Sequence, residues 1–71
     1  LWANQWEKAI VDLDEAIRLD PRFCLAYANR AMAYTLADQD ELAQWDLERA
    51  VKFGLDLASL AAEVNNLKQV R

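Results

Sequence analysis

Twelve carboxylates and not one histidine set the chemistry this chain can attempt. Without histidine the commonest general base is missing, as are the imidazole ligands of zinc and any Cys–His nucleophile pair. Cys24 stands alone, so neither a disulfide framework nor a cysteine metal site forms within the chain, and it reads as a small packing residue. Ser59 is the single serine and has no base near it in sequence. Asp38-x-Asp40 begins like a calcium loop, but Ala43 falls where glycine is required and Arg49 where the closing glutamate belongs. That pair of aspartates reads instead as a helix cap. Asp12 and Asp14, two residues apart, turn away from each other on a helix and read as solvated charge. Lys8 and Arg18 lie within reach, for a few tenths of a kcal/mol per pair. The inventory points to no catalysis, no metal and no cofactor.

Composition narrows the class further. The chain has 71 residues, enough for one small domain whose core is marginal, with roughly 60% of the unfolded surface hidden on folding. It is rich in Ala, Leu, Asp and Glu, and holds one Gly and one Pro, which predicts an all-α protein with short connections. No apolar run is long enough to span a bilayer. A net charge of −4 with scattered Lys and Arg argues against nucleic acid, whose affinity comes from clustered cations. No basic leader precedes an apolar run, and the lone Cys24 suits a reducing compartment, so a cytoplasmic location is expected. The chain opens on Leu1 rather than Met, which reads as a piece of a longer protein.

Four helices must position these residues. Asn4 and Glu7 read as a capping box opening a first helix from about Gln5 to Leu19, with Leu1 and Trp2 ahead of it. Asp20 is expected to cap the second helix and Pro21 to sit in its first turn. That helix, about 22–37, has two apolar stripes, Phe23, Tyr27, Ala31 and Tyr34 on one and Leu25, Ala28, Met32 and Leu36 on the other. It should lie between the first helix and the third. Asp38 and Glu41 read as a second capping box opening a helix to about Phe53, and Gly54 suits a left-handed C-terminal cap. Asp56 caps a last helix with one apolar stripe of Leu57, Leu60, Ala61, Val64 and Leu67.

The chain also repeats itself. Setting residues 4–20 beside 38–54, a shift of 34, leaves Gln5/Gln39, Glu7/Glu41, Ala9/Ala43, Asp12/Asp46, Leu13/Leu47 and Ala16/Ala50 identical. Small and large residues alternate along one helical face, which lets a neighbouring helix come close. A fixed period of this size marks a stacked array of helical units.

Ala9, Leu13, Ala16 and Pro21, then Tyr27, Tyr34, Ala43, Leu47 and Ala50, resemble the tetratricopeptide repeat over nearly the whole chain. Arg30-Ala31 departs from the Leu-Gly often found there, Asp40 stands where Trp6 leads one to expect an aromatic, and Gly54-Leu55 replaces Asp20-Pro21. The resemblance implies a solenoid of antiparallel helix pairs: residues 1–21 as the second helix of a partial repeat, 22–55 as a full repeat, and 56–71 as a capping helix. It also implies a protein–protein interaction scaffold. A peptide or partner helix would lie in a concave groove lined by Leu25, Ala28, Asn29, Met32, Thr35 and Leu36. Family members that hold a peptide's carboxylate use an Asn at the place of Asn29, with basic partners that are absent here. Trp2, Trp6 and Trp45 are candidate interface anchors, Trp45 either on the outer side of the third helix or against the fourth. The first helix, with Trp2, Trp6, Ala9 and Ile10, has a neighbour on one flank only. Leaving such side chains in water forfeits roughly 1.5–3 kcal/mol each, so this face is expected to be covered by upstream chain or by a second copy in a homo-oligomer. A self-assembling module with no separate peptide ligand is the alternative.

Overall fold

The computed structural model describes residues 2–70, with side-chain surroundings from Gln5 onward. It is all-α, with four helices: α1 (Trp2–Leu19), α2 (Cys24–Leu36), α3 (Asp40–Lys52) and α4 (Leu57–Val70). Among the described residues α2 touches all three others, α3 also meets α4, and α1 rests on α2 alone. The central position expected for α2 is what the structure shows. Its core side is built of small residues, Ala28, Ala31 and, facing it on α3, Ala43 and Ala50, all at 3% exposure or less. Alanines at the contact bring helix axes close and leave the larger Tyr27, Leu47, Leu60 and Val64 to fill the flanks.

Helix boundaries follow backbone hydrogen bonds more than the expected caps. α1 already runs through Asn4, so Asn4 and Glu7 do not open it, and Trp2 belongs to the helix. Asp20 and Pro21 form a separate turn. The Phe23 amide donates to the Asp20 carbonyl at 3.0 Å and the Arg22 amide to Asp20 Oδ1 at 3.2 Å. Proline's fixed φ suits that turn's second position, and the turn consumes Asp20, so α2 begins at Cys24 with Phe23 as its uncapped N-cap.

Asp38 does not open α3 either. It sits at φ +63° and closes α2, with its own amide on Thr35 O at 3.2 Å and that of Gln39 on Tyr34 O at 2.8 Å. This is a Schellman closure, and it leaves Gln39 as the N-cap of α3. The same closure ends α3. Gly54, at φ +129°, donates to Val51 O at 3.1 Å, and Leu55 donates to Ala50 O at 3.0 Å. The expected glycine cap is present. Asp56 opens α4, its Oδ2 accepting from both the backbone amide and the hydroxyl of Ser59 at 2.9 Å.

Two outcomes follow from these ends. Nothing lies within 4 Å of a Cβ added at Gly54, so the cost of Gly54→Ala is purely conformational. We expect about 1–2 kcal/mol of lost stability, read from the urea midpoint. The amide of Ser59, and then its hydroxyl, hold the Asp56 carboxyl below its ordinary 3.8. A depressed folded-state value means the cap stabilises the native chain above that ordinary value and is lost as pH falls through the lowered one. Asp56→Asn keeps a capping oxygen but cannot titrate, so its urea midpoint should fall less between pH 4 and pH 2 (roughly the ordinary aspartate range) than that of the unaltered chain.

Candidate functional site

The second helix carries the main polar contact of the core and lines two open concavities. Arg30 lies on α2 between Tyr27 and Tyr34, its guanidinium carbon 5.7 and 5.9 Å from their ring centroids. Nε and Nη2 donate to the two oxygens of Asp46 on α3, each at 2.8 Å, a two-point fit of a planar fork to a carboxylate. Nη1 reaches the other way, to Asp14 on α1 at 2.7 Å. Asp46 is 1% exposed while Asp14 is about half exposed, so the two bonds differ in kind. The Asp46 bond raises the Arg30 guanidinium above its already high value, against the opposing effect of burial. At Tyr34, by contrast, burial pushes the phenol up, and the nearby Arg30 pulls it back. No buried side-chain nitrogen or oxygen among the described residues lacks a hydrogen bond.

Sequence reasoning missed this arrangement. Asp14 is not merely solvated charge, and Arg18 pairs with Glu15 instead. A signal was there: Arg30 is the one charge set between the apolar stripes of α2, and Asp46 is one of the residues repeated at the 34-residue shift.

Between α2 and α4 runs a groove of about 470 Å³. Ala28 and Leu60 form its floor, Leu25, Met32 and Leu55 its walls, and Asn29, Asp56, Ser59 and Glu63 its rim. Leu25 is 54% exposed, and Asn29 makes no side-chain hydrogen bond among the described residues. Four of the six expected groove residues, Leu25, Ala28, Asn29 and Met32, thus share one concavity.

Thr35 does not. It is wholly buried and donates its hydroxyl to Ala31 O at 2.8 Å, because a β-branched hydroxyl in mid-helix satisfies itself on the preceding turn. Leu36 leans toward α1, lining a slot of about 420 Å³ with Trp6, Ala9, Asp12 and Leu13 on α1 and Asn29, Met32 and Ala33 on α2. Trp6 is half-buried there. Trp45 is 47% exposed on α3, with the Arg49 guanidinium carbon 4.3 Å from a ring centroid. Trp2 lies outside the residues whose side chains are described.

No three metal-ligating side chains converge among the described residues, and no helix is long and apolar enough to cross a membrane. Comparison with protein-family models, with curated proteins and with solved structures finds no match.

Removing one partner of a buried ion pair leaves the other charge stranded, so Arg30→Ala should lower stability by about 3–5 kcal/mol. Asp14→Ala breaks an exposed bond and should cost less than about 1 kcal/mol. A double variant, Arg30→Met with Asp46→Leu, should recover most of the Arg30→Ala loss. Urea midpoints of the three variants check the ranking.

Proposed function

We propose that this chain is part of a tetratricopeptide-type helical array. Its activity would be to hold a partner polypeptide in the groove between α2 and α4, without catalysis. The observation that carries the reading is the groove itself. Four residues named from the repeat line one apolar channel, with an unengaged amide, that of Asn29, on its rim. Apolar floor and walls supply burial, while an amide offering both donor and acceptor fixes the direction of an extended backbone.

The charges on the rim select among partners. Asp56 and Glu63 line the groove and no cation does, in a chain of net charge −4. A peptide's terminal carboxylate would meet like charge there. An apolar segment flanked by Lys or Arg would meet opposite charge, gaining in association rate more than in affinity. The partner proposed is therefore an apolar–basic peptide.

Two substitutions test it, on positions whose side chains face water or the groove. Met32→Glu places a carboxylate in the channel and should weaken such a peptide at least about tenfold. Asn29→Ala should weaken it several-fold. Titration calorimetry against a library-selected peptide reads both, with circular dichroism showing the fold retained. Equal binding by both variants would remove the groove as the site.

A further inference from the structure

We propose that the slot between α1 and α2 receives a partner helix that donates an arginine to Asp12, as α2 donates Arg30 to Asp46. At the 34-residue shift Ala9, Asp12, Leu13 and Ala16 of α1 are the same residues as Ala43, Asp46, Leu47 and Ala50 of α3. On α3 these four are 2%, 1%, 6% and 0% exposed. On α1 the three apolar ones are only half-buried, and Asp12 is exposed with no ion pair among the described residues. The residues are the same and the burial is not. The difference is the number of neighbours: α3 has α2 and α4 against it, while α1 has α2 alone.

The α3 copy of this surface is covered by a helix of the same chain. It is α2, presenting Arg30 with the fully buried Ala31 beside it and a tyrosine one turn to either side. On α1 the matching residues Ala9, Asp12 and Leu13 form one wall of the open slot, whose other wall comes from α2. A helix with the pattern aromatic-x2-Arg-Ala-x2-aromatic fits both the shape and the charge of that space. An acidic helix does not, since Asp12 would then be buried against like charge. Within this chain only α2 has the pattern, and its Arg30 is already bound to Asp46 and Asp14, so an intact second copy has no such helix to offer.

The natural probe is a synthetic peptide of residues 22–37, the sequence of α2 itself, titrated into the whole protein by calorimetry and followed by tryptophan fluorescence. We expect saturable binding that weakens at least about tenfold with Asp12→Asn in the protein, and equally with Arg30→Gln in the peptide. Reversing the charges, Asp12→Arg against a peptide with Arg30→Asp, should restore it. Leu25→Glu, at a residue that lines the groove with α4 and not this slot, should change nothing here. Asp12 is exposed, so these variants keep the fold, and circular dichroism verifies that. The proposal is overturned if the peptide fails to bind, if it binds the Asp12→Asn protein as well as the unaltered one, if charge reversal does not restore binding, or if sedimentation shows the chain filling the slot by self-association.

Discussion

Of the side chains most completely shut away from water, the largest are Thr35 and Asp46, both polar. A core faced largely with alanine has few large apolar side chains to lock one helix against another. The aspartate and its guanidinium partner do part of that task. Taking two charges out of water costs several kcal/mol per ion, so the pair is weak evidence for net stability. Its contribution is to geometry. A planar fork meeting both oxygens at 2.8 Å tolerates little displacement, and a slide of α2 by one turn would strand Asp46. The tyrosines flanking Arg30 and the reach of its third nitrogen to Asp14 extend that register to α1.

Around this tie the connections are short and differently built. A proline turn enters α2, a positive-φ aspartate leaves it, and a positive-φ glycine leaves α3. Tyr27 links the first of these to the last. Its hydroxyl donates to Pro21 O at 2.9 Å, and its ring lies 5.7 Å from that of Phe53. The body measures 30 × 26 × 15 Å, so no helix is far from solvent. That thinness accounts for Val11, Leu19, Leu57 and Val70 remaining more than half exposed. A slab has little interior, and most of it is spent on the shared face of α2 and α3.

Both concavities borrow from α2. Asn29 and Met32 line the groove with α4 and also the slot with α1. A helix apolar nearly all round needs cover on several sides, and here the cover is complete toward α3 and partial toward α1 and α4. The open concavities are thus what remains where the other helices do not fully cover α2.

Much was legible from local pattern. Four helices, the central place of α2, the Gly54 closure, the Asp56 cap and the one-sided cover of α1 follow from periodicity, φ preference and a repeat of 34, all properties of the chain near itself. The caps expected at Asn4, Asp20 and Asp38 do not form, because a short polar side chain before an apolar run suits several turns. Only the neighbouring backbone bonds decide which turn forms. Thr35 went inward for a similar reason: helical spacing sets an angle, but what stands at that angle depends on the next helix. Arg30 shows the limit most clearly. Sequence placed it on α2, while its bonds to Asp14 and Asp46, each sixteen residues away on a different helix, exist only because packing brings three helices to one point.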